Sequence, residues 1–174
     1  MTDFLQLARE RYSCRAFSDA PVEAEKIQAL VDAAVAAPTA VDKQPWHLWV
    51  VESPDAVERL SALTRFSFGA KVILALGAAP DEAWVRKYDE RNFADVDASI
   101  VGTHIMLAAH DLGLGTTWVG HFDAPAVKEA FPEMADYDLV ALFPLGYPAE
   151  GDEPAPKHFE RSLRRSSSRT CRPS

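Results

Sequence analysis

The chain has 174 residues, of which 48% are hydrophobic, and its formal net charge is −8. This length and composition predict one globular domain and exclude an intrinsically disordered chain. The negative charge argues against nucleic-acid binding, and no apolar run reaches the ~18 residues that a membrane span needs. The two cysteines, Cys14 and Cys171, do not have the spacing of a metal-binding or redox pair, which favours a reduced, cytoplasmic protein. The N-terminal residues lack the basic region and apolar stretch of a signal peptide, in agreement with this expectation.

The first half of the chain alternates helical and strand patterns. Apolar residues at 27, 30, 31 and 34 have helical spacing, whereas Trp46–Val51 is rich in aromatic and β-branched residues. In chain order, we predict a helix capped by Thr2 or Asp3 and ending near Glu10, a helix over 23–36, a strand over 46–51, a helix from Pro54 to about Leu63, and a strand over 72–76.

The second half contains the longest helical segment, residues 94–112, which is apolar around most of its circumference. Such a helix belongs in a core or a subunit interface. A strand over 116–119, a helix capped by Asp123 and ending near Phe131, and a strand over 139–143 follow. Because helices and strands do not alternate strictly, an α+β sandwich is favoured over a doubly wound parallel sheet.

Several potential functional motifs are weak. Gly113-Leu114-Gly115 follows a helix and lacks the third glycine of a dinucleotide-binding loop, because position 118 is a tryptophan. The five histidines are scattered, so no metal site is expected. Asp95 and Asp97 do not share a helical face, and we interpret them as favourable charges near a helix N-terminus.

The run from Arg11 to Phe17 places Arg11, Ser13 and Arg15 at alternate positions. In an extended chain these side chains share one face and form a compact row for an anion. Guanidinium groups suit phosphate and also stabilise charge delocalised over a ring carbonyl.

The basic end of the chain is a second positive feature. Residues 157–174 carry six basic side chains against Glu160 alone. We predict that one domain covers residues 1–165 and that residues 166–174 form a disordered basic tail.

Four runs follow one another in the chain: the Arg-x-Ser-x-Arg start, the turn Pro38-Thr39-Ala40-Val41-Asp42-Lys43-Gln44-Pro45-Trp46, the segment Gly113 to Gly120, and Gly146-Tyr147-Pro148 before the basic end. In this order they resemble the nitroreductase family of flavin mononucleotide (FMN) enzymes over about residues 4–161. The resemblance implies a three-layer α/β/α sandwich with a central, mostly antiparallel sheet. It also implies a homodimer with the long helix at its interface.

The resemblance further implies a noncovalent FMN site built from several parts of the chain. The opening run would contact the phosphate, ribityl chain and pyrimidine edge, and the turn after the second helix would reach the flavin of the other subunit. The segment after the long helix would run along the ring near N5, and the basic end would return to the phosphate. The implied residues are Arg11, Tyr12, Ser13, Arg15, Pro38, Thr39, Ala40, Asp42, Gln44, Trp118, Val119, Gly120, Lys157 and Arg161.

The implied activity is hydride transfer from NADH or NADPH to flavin N5, then reduction of a nitroaromatic, quinone or similar conjugated acceptor by a ping-pong mechanism. No side chain is assigned as a catalytic acid or base. Trp46 and Trp118 could each cover a ring face; core packing is favoured for Trp46 and left open for Trp118. Asp42 stands where asparagine is commoner in the family, and an ionised carboxylate there would disfavour ring reduction.

Two alternatives remain open from sequence. The first is an FMN enzyme of the same fold with a specialised reaction, such as dehalogenation, flavin fragmentation or ring dehydrogenation. In that case Arg86, Lys87, Arg91 and Asn92 could recognise an acid, although an exposed charged loop is the favoured interpretation of segment 80–94. The second alternative is a flavin-binding protein without turnover.

Overall fold

The computed structural model of the protein describes residues 3–160. The predictions for Arg161 and for a tail over 166–174 concern residues outside this range. Within it, the helices are α1 (Phe4–Glu10), α2 (Ala24–Val35), α3 (Pro54–Ser61), α4 (Ala94–Asp111) and α5 (Ala124–Ala130). The strands are β1 (Trp46–Val51), β2 (Val72–Ala78), β3 (Val85–Arg86), β4 (Arg91–Asn92), β5 (Gly115–Thr116) and β6 (Asp138–Gly146).

The central sheet has the order β1-β2-β6-β5, and its pairings are antiparallel. Alternate residues of β2 enter two separate apolar cores: Leu74 and Leu76 face α2 and α4, whereas Ile73 and Ala75 face the side of α3 and α5. Because a strand's side chains alternate between faces, β2 is buried on both sides. The predicted three-layer α+β sandwich is therefore confirmed.

β2 and β6 are two and four residues longer than the strands predicted over 72–76 and 139–143. Two larger differences from the sequence prediction concern other strands. The predicted strand over 116–119 is shorter: β5 ends at Thr116, and Val119 makes a single bridge to Leu142. In this register Thr117 stands opposite Pro144, which has no N–H to donate to the ladder. The second difference is the hairpin of β3 and β4, which forms inside the charged segment 80–94.

The long helix α4 packs closely on the sheet. Its inward side is buried from Ala94 to Ala109, and Gly102 allows the closest approach. A Cβ atom at Gly102 would lie 2.5 Å from Trp118 Cζ3 and 2.9 Å from Phe143 Cζ. The Trp118 and Phe143 rings meet edge to face, with centroids 5.2 Å apart. Among the described residues, no helix has the length and apolar character needed to span a bilayer.

A polar cluster joins α2 to the ends of α4 and β6. The Lys26 ammonium donates to Leu112 O at 2.9 Å and to the Tyr147 hydroxyl at 2.7 Å, and this hydroxyl donates to the Glu23 carboxylate. The hydrogen bond from Tyr147 lowers the pKa of Glu23, and the hydrogen bond between Lys26 and Tyr147 raises the pKa of Lys26. Lys26 thereby satisfies a carbonyl at the C-terminal end of α4.

The close contact at Gly102 predicts that Gly102→Ala will destabilise the protein. The added methyl group overpacks the contact with Trp118 and Phe143, at a cost of about 1–3 kcal/mol, partly offset by the ~1 kcal/mol gain in helix propensity. Urea unfolding measures the change, and near-UV circular dichroism reports the displaced Trp118 ring. Thr103→Ala, at the exposed neighbouring position, is the control; equal stabilities of the two variants would contradict the packing described.

Candidate functional site

The segment after α1 is extended along the β5 edge of the sheet. The Cys14 N–H donates to Thr116 O at 3.1 Å, and Ser18 N–H donates to Tyr147 O at 2.9 Å. Phe17 forms an antiparallel bridge with Pro148. Arg11, Ser13 and Arg15 therefore follow the outer edge of the structure, beside the strand pair that ends the sheet.

Cys14 and Arg15 have opposite environments, whereas Arg11, Tyr12 and Ser13 are half-buried. Cys14 is fully buried against Gly115, and the Tyr12 hydroxyl donates to Asp152 Oδ2 at 2.9 Å. Arg15, by contrast, is exposed, and its Nη1 donates to Ser13 O at 3.0 Å. Tyr12 and Cys14 thus fasten the segment to the protein, which leaves the Arg15 guanidinium available on the outside.

Burial keeps both anchoring groups neutral. It raises the pKa of Tyr12 well above its ordinary value, and the hydrogen bond to Asp152 acts in the same direction. Burial also raises the pKa of Cys14 to about 12, again reinforced by Asp152. A protonated thiol is a poor nucleophile, so Cys14 is a packing residue.

A cavity of about 210 Å³ lies beside Arg15. It brings Arg15 together with three other predicted residues, Trp118, Val119 and Gly120. Val119 is held by two backbone hydrogen bonds to Leu142, each of 2.9 Å. Trp118 both packs in the core against α4 and contributes to the cavity wall.

The same cavity contains residues that the sequence analysis missed: Phe66, Phe68, Thr117 and His121. The Phe66 ring lies 5.5 Å from His121 and 5.9 Å from Phe68, measured between ring centroids. The Thr64 hydroxyl donates to His121 O at 2.9 Å, which holds the two loops together. In the sequence, the alternate positions of Phe66 and Phe68 in an otherwise polar loop could have indicated this aromatic wall.

Arg11 lines two other depressions. One, of about 120 Å³, is also lined by Tyr12, His110 and residues 113–116. Burial lowers the pKa of His110. The other, of about 700 Å³, lies between the end of α1 and residues 154–159. There His158 Nε2 is 3.0 Å from Arg9 O. Lys157 is exposed in the adjacent turn and does not line this groove.

The predicted turn 38–44 has an unusual backbone. Val41, Asp42 and Gln44 have φ angles of 49°, 56° and 49°, a left-handed conformation that is strained for a β-branched residue. Thr39 Oγ1 accepts a hydrogen bond from Gln44 N–H at 3.0 Å, and Asp42 Oδ1 accepts one from Gln44 Nε2 at 3.1 Å. Backbone strain of this kind is concentrated at functional sites.

Asp97 anchors this turn to α4. Its carboxylate is 1% exposed, and its Oδ1 accepts the Ala40 N–H at 2.9 Å. The interpretation of Asp97 as a favourable charge near the helix N-terminus was therefore incomplete. No local pattern in the sequence indicates a bond between residues 57 positions apart.

The two halves of the predicted site lie at opposite corners of one chain. The 38–44 turn precedes β1 at the Ala78 end of the sheet, whereas Cys14 and Thr116 lie beside β6 at the Val72 end. At ~3.3 Å per residue, β2 separates these ends by about 20 Å, and three strand spacings of ~4.8 Å separate the two edges. Within one chain, the turn does not reach the Arg15 cavity.

The sequence profile of the nitroreductase family matches residues 8–68 and 62–147. A nitroreductase family protein from Clostridium difficile 630 has a similar crystal structure, with a TM-score of 0.86 and 31% sequence identity over 93% of this chain and 94% of that protein. The chain belongs to the nitroreductase family.

Two other relatives are informative. A protein from Methanothermobacter thermautotrophicus, provisionally named NADH dehydrogenase/NAD(P)H nitroreductase, is 30% identical in an alignment 160 residues long that covers 85% of this chain and 78% of that protein. A protein from Desulfovibrio desulfuricans, whose crystal structure is a complex with FMN, is 26% identical with a TM-score of 0.71, covering 89% of this chain and 91% of that one.

The buried environment of Cys14 predicts a thiol that reacts only when the protein unfolds. With a pKa of about 12, roughly one Cys14 in a thousand is a thiolate at pH 9. In a Cys171→Ser variant, where Cys14 is the remaining cysteine, a disulfide reagent should react at least about a hundredfold more slowly with native protein than with urea-unfolded protein. Comparable rates would show that Cys14 is accessible.

Proposed function

We propose that the protein is an FMN-dependent oxidoreductase that uses NADH or NADPH to reduce a nitroaromatic, quinone or similar conjugated acceptor. The observation that carries this proposal is the cavity in which Arg15 stands beside Trp118, Phe66 and Phe68. When bound, FMN supplies two-electron chemistry, taking hydride from the nicotinamide and passing electrons to the acceptor in turn.

The chemistry of the described residues fits FMN. FMN joins a dianionic phosphate to a flat amphipathic ring, and a chain with net charge −8 needs a local positive site to bind it. Arg11 and Arg15 supply guanidinium groups for the anionic and carbonyl-rich parts. The aromatic wall beside Arg15 excludes water from a ring face, which strengthens these polar contacts.

The alternating anchors explain how the arginines are prepared for binding. Tyr12 and Cys14 hold the segment through Asp152 and the Gly115 backbone, so little conformational freedom is lost when a ligand binds. The residues proposed to hold the cofactor are those predicted from sequence: Arg11, Tyr12, Ser13, Arg15, Pro38, Thr39, Ala40, Asp42, Gln44, Trp118, Val119, Gly120, Lys157 and Arg161.

The proposal includes a homodimer in which each chain completes the site of the other. A cavity of about 210 Å³ is smaller than the ~300–1,000 Å³ of ordinary cofactor sites. The strained 38–44 turn lies at the opposite corner of the same chain, where a two-fold related partner could use it. On α4, Leu107 is half-buried and belongs to neither apolar core, which is consistent with an interface position.

The first test is spectroscopic. We expect the purified protein to bind FMN noncovalently and to be bleached by NADH or NADPH without oxygen, then recoloured by menadione or a nitrobenzene. Bleaching without recovery would favour a specialised acceptor, and binding without bleaching would favour a flavin carrier. Absence of FMN binding would refute the proposal.

Arg15→Ala should weaken FMN binding, because it removes a charge-assisted hydrogen bond of about 1.5–3 kcal/mol, or roughly ten- to a hundredfold in affinity. Fluorescence titration with FMN measures this loss. Arg59→Ala is the matched control, because it removes the same charge from α3, where the guanidinium lies over Phe131. Equal affinities of the two variants would place the cofactor elsewhere.

The dimer is tested by sedimentation of Leu107→Arg. A buried arginine at an apolar interface is unpaired and costly, so this variant should become monomeric and lose FMN affinity together. Glu58→Arg, at an exposed position of α3, should remain dimeric and bind FMN. A monomeric wild-type protein with full FMN affinity would contradict the shared site.

A further inference from the structure

Asp97 is the charged side chain that is fully buried among residues 3–160. Its Oδ1 accepts the Ala40 N–H, and its Oδ2 is buried without a hydrogen-bond partner in the described part of the chain. Burying a carboxylate is costly unless it is well paired. The dipole of α4 offsets part of this cost, since Asp97 lies near its N-terminus.

The apolar core gives no reason for a carboxylate at this position. The neighbouring turns of α4 contribute Ala94, Ala98 and Val101 to the core, and an apolar side chain at position 97 would extend the same surface. The hydrogen bond to Ala40 is therefore the feature that distinguishes aspartate from an apolar residue of similar size. Since Asp97 interrupts the apolar surface of α4 and bonds the 38–44 turn, we interpret it as a residue that serves this turn.

The loop needs such a restraint. Strained backbone persists only where the surrounding structure over-determines it, and the other bonds of the turn are mostly internal, from Asp42 N–H to Thr39 O and from Lys43 N–H to Ala40 O. Within residues 3–160, the side chain from another element that forms a hydrogen bond with this turn is that of Asp97. The Ala79 N–H donates to Pro45 O, which lies just after the turn.

We propose that Asp97 is a positioning residue for the flavin site: its bond to Ala40 fixes the strained 38–44 turn in the conformation that reaches the flavin of the partner chain. This inference rests on the proposed function. Asp97 acts through the turn and does not itself touch the cofactor. The exposed part of the turn, from Val41 to Gln44, is then presented in one conformation before the cofactor binds, which reduces the entropic cost of binding.

The decisive variant is Asp97→Leu, which keeps the branched shape of the side chain, exchanges its two oxygens for larger methyl groups and removes the acceptor. Replacing a buried charge with an apolar group is often neutral or stabilising, which offsets the overpacking by the methyl groups, so the melting temperature should stay close to that of wild type. FMN affinity should nevertheless fall by about tenfold. A residue with only a structural role would not lower affinity while preserving stability.

Asp97→Asn is the conservative rescue. It keeps an oxygen that can accept the Ala40 N–H, and its FMN affinity should stay within about threefold of wild type. Asp95→Asn, at an exposed position in the same first turn of α4, should behave as wild type. Asp97→Leu with wild-type affinity, or Asp97→Asn as defective as Asp97→Leu, would overturn the proposal.

Amide hydrogen exchange of the FMN-free protein provides a readout that does not depend on cofactor binding. Exchange at the amides of Asp42, Lys43 and Gln44 should be at least about tenfold faster in Asp97→Leu than in wild type. Unchanged protection of the turn would overturn the anchoring role. Failure of wild-type FMN binding would instead refute the proposed function and leave the exchange result unaffected.

Mixed dimers test whether Asp97 acts on the partner's site. When Asp97→Leu and Arg15→Ala chains are mixed equally, a mixed dimer has one intact site, formed by Arg15 from the first chain and the turn from the second. Random mixing then restores about a quarter of the sites to wild-type FMN affinity. No recovery after confirmed chain exchange would show that the turn serves its own chain and would overturn this part of the proposal.

Discussion

The pairing of β2 with β6 is the constraint on which the rest of the structure depends. β2 is buried throughout and β6 is buried from Ala141 to Gly146, with alternate residues in two apolar cores. A shift of one residue would exchange the sets facing each core, so the register is strongly fixed. That register places β5 beside the end of β6, and β5 in turn receives Cys14. The position of the opening arginines is thus a consequence of packing deep in the sheet.

The same register separates two segments that are close in sequence and that are both predicted to bind the cofactor. Arg15 and Pro38 are 23 positions apart in the chain, but they lie at opposite ends and opposite edges of the sheet. A two-fold axis can bring such unlike corners together, because each chain contributes one corner to each of two equivalent sites. The proposed dimer would bring together two corners that one chain by itself keeps apart.

Two local features cost stability, and they occur together. The 38–44 turn has positive φ angles at Val41, Asp42 and Gln44, and Asp97 is a buried carboxylate with one oxygen that has no hydrogen-bond partner within residues 3–160. A sequence selected for stability alone would avoid both. The hydrogen bond between the Ala40 N–H and Asp97 connects the two features, which is consistent with a fixed turn conformation being required despite the loss of stability.

Local pattern predicted most of the elements. The strand over 46–51 agrees with the structure, and the predicted helices differ from it by one or two residues at most ends. Such agreement is expected where periodicity, caps and prolines act over short distances. The hairpin of β3 and β4 escaped detection because two-residue strands contain too few positions for alternation to be recognised.

The sequence by itself determined the alternating arginine row, the apolar long helix and the ordered motifs that resemble the nitroreductase family. The tertiary structure decided which of these segments meet. It joined Phe66, Phe68 and His121 to Arg15, joined Asp97 to Ala40, and separated the 38–44 turn from the arginine row. The physical reason is that periodicity and turn chemistry depend on neighbours in sequence, whereas these contacts depend on strand order and register across the whole chain.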